Sequence, residues 1–194
     1  MSGLLVDLRG DPTPPERGYY GVDRDPKAVT GVMLHRTACV LGERPERWKR
    51  VHAHVGITMA GQVILAHDFG RVLWHGNKPS TWTIGIEIDG NPEGVPGRWW
   101  KPGGGPHPLT AAQIASAHEI LLPLLINWFA SVGGYWEYTL AHRQSSGDRE
   151  YDPGHETWQR IALPWMRETG TTDGDLVWGT GLAIPREWDA RKVK

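Results

Sequence analysis

The chain has 194 residues, and its 21 Lys and Arg against 22 Asp and Glu leave a formal charge of -1, with no basic run longer than two residues. Nothing electrostatic therefore recommends nucleic acid as a partner. The length suits one domain with a real core, and the single Cys39 excludes an internal disulfide.

No apolar run approaches the length of a membrane span, so no membrane insertion is expected. Met1 to Arg9 lacks the basic leader and apolar length of a secretion signal, so synthesis in a cytoplasm is expected, as a monomer. Tryptophan is over-represented, 11 against 2 Phe. Its flat face suits carbohydrate, although most of these rings are expected in the core.

Residues 1–27, rich in Pro, Gly and Asp, read as an extended N-terminal arm. Ala28 to Thr37 is the first strong strand and runs into His35; Glu43 to His52 carries helix formers, with Pro45 in the first turn. Val55 to Met59 and Gln62 to Ala66, joined at Ala60-Gly61, read as a hairpin. Thr83 to Asp89 is the cleanest strand, with Ile84, Ile86 and Ile88 on one face and Gly85, Glu87 and Asp89 on the other.

Asn91 to Pro108 is a Gly/Pro-rich loop carrying Trp99 and Trp100, of a length usually functional or disordered. Thr110-Ala-Ala-Gln113 is a capping-box pattern opening a helix to about Ala130, which Pro123 should kink or divide. A strand from Tyr138 delivers His142, and a polar loop follows. A helix from Pro153 to about Thr169 is expected next, with Asp152 as its cap and Pro164 as a possible interruption. Residues 170–194 return to turn composition and form a C-terminal extension, packed on the domain or a tail. Irregular alternation with hairpins predicts an α/β domain with a central mixed sheet flanked by helices.

Of the nine histidines, His35 and His142 both terminate apolar strands, where α/β sheets place their sites. With Asp152 they would make an open metal site: zinc accepts imidazole nitrogen and carboxylate oxygen, and three protein ligands leave a fourth position for water. Spacing alone does not prove this grouping. Glu87 interrupts an Ile-Gly-Ile-Glu-Ile strand. It reads as a general base or acid whose pKa burial raises toward neutrality, or as the polar face of a half-buried strand. Cys39 reads as a small buried thiol rather than a ligand.

Five elements in order carry a resemblance: His35-Arg36-Thr37 closing a strand, Ala53-His-Val-Gly-Ile57 with Gly61 in the turn, Trp74-His75-Gly76, Thr83-Ile-Gly-Ile-Glu87, and His142 followed by Asp152-Pro-Gly154. The chain resembles the zinc-dependent N-acetylmuramoyl-L-alanine amidase family, which includes phage endolysins, bacterial cell-wall amidases and peptidoglycan recognition proteins. The match covers about residues 28–169. It implies zinc (Zn2+) on His35, His142 and Asp152, with a zinc site at strand ends. It implies peptidoglycan as partner, and hydrolysis of the amide between N-acetylmuramic acid and L-alanine of the stem peptide, with Glu87 moving the proton.

Two positions depart from the family pattern. Glu150 stands where many relatives have a lysine that helps hold the oxyanion, leaving Arg149 or His75 as the electrophilic helper. Ala53 stands where relatives often have an aromatic. Trp74, Trp99, Trp100 and His54 are the candidate walls for sugar and stem peptide. A cell-wall substrate without a secretion signal fits a phage-type endolysin acting after release. The rival readings are a non-catalytic peptidoglycan-binding module on the same scaffold, and a zinc peptidase cutting the stem peptide.

Overall fold

The computed structural model describes residues 4–10, 19–94 and 106–192. Its centre is a six-stranded mixed sheet in the order β1-β5-β4-β7-β3-β8. The strands are β1 (Leu5–Asp7), β3 (Gly31–Arg36), β4 (Val55–Ile57), β5 (Val63–Leu65), β7 (Thr83–Ile88) and β8 (Tyr138–Ala141). β4, β7, β3 and β8 run parallel; β5 pairs antiparallel with β4, and β1 runs parallel to β5. β2 (Tyr19–Asp23) and β6 (Arg71–Leu73) form a separate antiparallel ribbon. The segment read as an N-terminal arm thus supplies an edge strand and half of this ribbon.

Parallel strands in the middle of a sheet are covered on both faces, and every residue of β3 is buried. On one face Val32, Leu34, Ile84, Ile86 and Ile88 meet helices α2 (Ala111–Ser131) and α3 (155–169) through Leu121, Leu125, Ile161 and Trp165. On the other face Gly56 lets the Trp48 ring of the short helix α1 (Pro45–Trp48) lie against the strand. A Cβ there would stand 2.1 Å from the ring. A smaller apolar cluster of Trp48, Ile64 and Ala66 forms on that side. This second face carries the candidate site.

The capping box of α2 is present in both directions: Gln113 N–H donates to Thr110 Oγ1 and Thr110 N–H to Gln113 Oε1, each at 3.0 Å. Neither proline divides its helix. A π-helical turn precedes each, at Ala117–Leu121 and Trp158–Ala162. Leu122 N–H reaches back five residues to Ala117 O, and Leu163 N–H to Trp158 O. The wider turn makes room for a ring that would otherwise press on the preceding turn.

By length and composition alone α2 is long and apolar enough to cross a membrane. Here its Ala117, Leu121, Leu125 and Phe129 pack into the core. The C-terminal segment joins the same core through Ile184 and Trp188.

Candidate metal centre

His35 is the fifth residue of β3, and the register sets it directly beside Glu87 on β7. β8 ends at Ala141, so His142 emerges one strand away at the same end of the sheet. The 142–152 loop then returns Asp152 to β3, where the Arg36 backbone N–H donates to Asp152 Oδ1 at 2.7 Å. Arg143 N–H donates to Asp152 O at 3.0 Å and closes the loop at its base.

His35 Nδ1 lies 2.9 Å from His142 Nδ1, which lies 2.9 Å from Asp152 Oδ2; His35 Nδ1 to Asp152 Oδ2 is 3.9 Å. Ligands held tetrahedrally at ~2.0–2.2 Å from one ion stand roughly 3.3–3.6 Å apart, so side-chain adjustments of a few tenths of an ångström would place all three on one cation. The donor set, two imidazole nitrogens and a carboxylate, suits a borderline-soft divalent ion. Burial, reinforced by the neighbouring His142 and His75, holds His35 well below the usual imidazole pKa. It stays neutral and keeps a lone pair for a metal.

With Nδ1 turned to the centre, His35 Nε2–H donates to His75 Nδ1 at 3.1 Å, and His75 Nε2–H is left for Thr83 O at 3.3 Å. Ser80 Oγ accepts from the backbone N–H of His75 and Gly76, fixing the turn that presents this ring. Gly85 is required beneath it, since a Cβ there would stand 2.6 Å from the ring. His54 is fully buried: its Nδ1 accepts from Gly85 N–H and its Nε2–H donates to Arg71 O, both at 2.9 Å.

Two expectations are therefore corrected. His75 is not placed as an electrophilic helper; both its nitrogens are engaged, and it stands behind the first ligand. His54 does not line the cleft; it braces the strand that carries Glu87. A third correction concerns Asp152, which does not cap α3. Its carboxylate is committed to Arg36 N–H and His142, and the helix starts at His155 with Gly154, at φ 90°, as its N-cap.

Glu87 has its Oε2 buried without a hydrogen-bond partner among the described residues. Its pKa is pushed up to about 8, first by burial and then by the Asp152 charge, against the pull of Arg149. A carboxyl poised near neutrality can both take and release a proton. A cavity of about 400 Å³ opens past Asp152 toward α3, walled by Arg36, Tyr151, His155, Glu156 and Trp188 among others. None of the three ligand side chains lines it.

A family model described as N-acetylmuramoyl-L-alanine amidase matches residues 25–155, which hold every residue of this site. The chain belongs to that amidase family. Among solved structures, the fold is shared with N-acetylmuramoyl-L-alanine amidase LysC from Clostridium intestinale URNW, at TM-score 0.57 and 11% identity over 86% of this chain and 97% of that one. It is also shared with the Ph2119 endolysin from Thermus scotoductus MAT2119 bacteriophage Ph2119, at 0.52 and 15% over 86% and 99%. Drosophila peptidoglycan recognition protein SD matches at 0.57 and 16% over 91% and 97%. A comparison with curated proteins finds no match.

Within the amidase frame the remaining residues take their places. Arg149, part-buried on the 142–152 loop, is close enough for its charge to lower both Glu87 and His35. Trp74, 44% exposed, adjoins His75 in sequence and presents an apolar face to solvent. Trp99 and Trp100 lie outside the described residues. Burial, with Asp89 and Glu87 nearby, pushes the Cys39 thiol up, which disfavours the thiolate a metal needs.

One organising residue went unread. Fully buried Asp89 accepts from Leu41 N–H at 2.8 Å and Gly42 N–H at 3.1 Å, shaping the loop after the first ligand. Its position on the Glu87 face of the strand was the available signal.

Proposed function

We propose that the chain is a zinc-dependent N-acetylmuramoyl-L-alanine amidase that hydrolyses the bond between the lactyl group of N-acetylmuramic acid and L-alanine of the stem peptide. The observation that carries this reading is the convergence of His35, His142 and Asp152, with Glu87 in register beside the first of them. Held by those three, zinc would supply Lewis acidity and lower the pKa of a water toward about 7.

The chain's own residues do the rest. Glu87 takes the proton of the attacking water and delivers it to the departing amine, a task that its buried carboxyl, in register beside His35, is placed to perform. Arg149, whose charge reaches both Glu87 and His35, would supply the positive charge for the oxyanion that relatives often draw from a lysine. Trp74 offers a stacking face for the sugar or stem peptide. We further propose the deployment of an endolysin: synthesis in the cytoplasm, and attack on the wall once the membrane is breached.

Metal content and mass spectrometry of digested peptidoglycan test the reading together. The purified protein should hold close to one zinc and release stem peptides that begin with L-alanine. Full activity after His142→Ala would sink it. Wall binding without release would assign a binding module, and cuts inside the stem peptide would assign a peptidase.

A further inference from the structure

Two of the three candidate ligands sit on the 142–152 loop, and the C-terminal segment grips that loop along its outer side. Trp178 N–H donates to Gln144 O at 2.9 Å and Leu182 N–H to Arg143 O at 2.7 Å. Gln144 answers with its own amide, donating to Leu176 O at 2.8 Å. The two backbones are in direct contact: a Cβ on Gly181 would stand 2.1 Å from Gln144 O, and one on Gly147 2.6 Å from Thr180 O. The gripping segment is itself anchored. Ile184 and Trp188 lie in the core, and Lys192 ties Asp173 at 2.6 Å.

Arg143 joins the parts. It follows the second ligand directly, and its backbone N–H holds Asp152 O at 3.0 Å. Its buried guanidinium donates to Glu150 O inside the loop and, at 3.0 Å, to Ala183 O in the C-terminal segment. The same group lies over the Trp188 ring, 4.8 Å from its centroid. One side chain thus links the start of the loop, its far end and the segment outside it.

We propose that residues 173–183, acting through Arg143, are a positioning clamp that presets His142 and Asp152 for the metal. A loop ordered beforehand spares the metal the entropy of ordering it. Outer contacts that orient ligands commonly account for 10–100-fold in metal affinity, roughly the effect expected here. The inference rests on the metal-centre reading above. It assigns a role to a part of the chain that the family match, ending at residue 155, does not reach.

The test uses the full chain with two clamp variants. Gly181→Ala adds a methyl where the backbones touch, and Arg143→Lys keeps the charge but loses the fork. Ile161→Val, buried under the sheet, serves as a control for general destabilisation. Zinc affinity is read by competition with a chromophoric chelator, and amide exchange at Arg143 and Leu182 is read in zinc-free protein.

Both clamp variants should bind zinc about 10–100-fold more weakly and exchange these amides faster, while the control stays within about twofold of the parent. Unchanged affinity in both clamp variants, or equal weakening in the control, would overturn the clamp. Absence of zinc from the parent protein would sink the metal-centre reading instead. The clamp would fall with it; with zinc bound by the parent, unchanged exchange in Gly181→Ala overturns the clamp while the metal-centre reading stands.

Discussion

His35 and Glu87 stand side by side on two central parallel strands, whereas His142 and Asp152 stand at opposite ends of a loop. The strand pair is held by backbone ladders on both sides and by an apolar core beneath, so it cannot move without the sheet. The loop pair is held by a few separate hydrogen bonds and no ladder, so it can shift without the sheet. The groups should therefore fail differently: loss of the Glu87 carboxyl stops the chemistry with the metal kept, whereas changes that disturb a ligand or the group that orients it lower metal occupancy, most readily on the loop side.

Glu87→Gln is the strongest test of that division. The amide fills the same space, and Oε2 has no hydrogen-bond partner among the described residues to lose. Removing the proton carrier should lower kcat by about 10²–10⁴-fold, the usual contribution of general acid–base catalysis. Zinc content should stay at the parental level. If zinc is lost along with activity, Glu87 belongs with the ligands and the division breaks.

His75→Ala should act less strongly and differently. It removes the acceptor for His35 Nε2–H, which fixes the ring orientation of a strand-side ligand. Zinc affinity should fall by about 10–100-fold, with kcat at saturating zinc changed much less. His75→Asn, which puts an acceptor near the position of Nδ1, should recover part of the loss. Chelator competition beside steady-state kinetics separates the two. An equal fall in kcat at full zinc occupancy would return His75 to the reacting centre.

The strand half of the site, and the strand that leads into His142, were legible because periodicity marks them: apolar strands running into His35 and His142, and a lone carboxylate in Ile-Gly-Ile-Glu-Ile. The mixed sheet was legible for the same reason, and the capping box of α2 from its Thr-Ala-Ala-Gln spacing. What escaped depends on partners far away in sequence. His75 meets a histidine 40 positions earlier, and His54 an amide 31 positions later, so no local pattern shows that their nitrogens are spent.

Asp152 looked like a helix cap because Asp-Pro is a good helix start. Arg36 and His142, far off in the chain, claim its carboxylate first. The C-terminal segment reads as turns, and its hold on Gln144 and Arg143 is made mainly of backbone groups that leave no mark in composition.

The smallest effect joins the two halves through pH, measured as the stability of metal-stripped protein. Glu87 titrates at about 8 when folded against 4.5 ordinarily, so between those values the folded state binds the extra proton. Its contribution is complete below the lower value and is lost as pH rises through the upper one. The buried histidines act oppositely. His35 and His54 titrate well below 6.5, His67 at about 4 and His75 at about 3, so the unfolded chain takes up protons first and acid destabilises.

Metal-free stability should therefore peak at about pH 7, where the unfolded histidines together hold about the one proton that folded Glu87 holds, and fall by at most about 1.4 kcal/mol on the way to pH 8, at ~1.36 kcal/mol per unit. Urea unfolding across that range measures it. Glu87→Gln should flatten the alkaline side and leave the acid side intact. Asp152→Asn should shorten the alkaline side, since the loop's charge is the second cause of the raised pKa. A full alkaline slope in Asp152→Asn would place the whole perturbation in strand burial, with none of it coming from the loop.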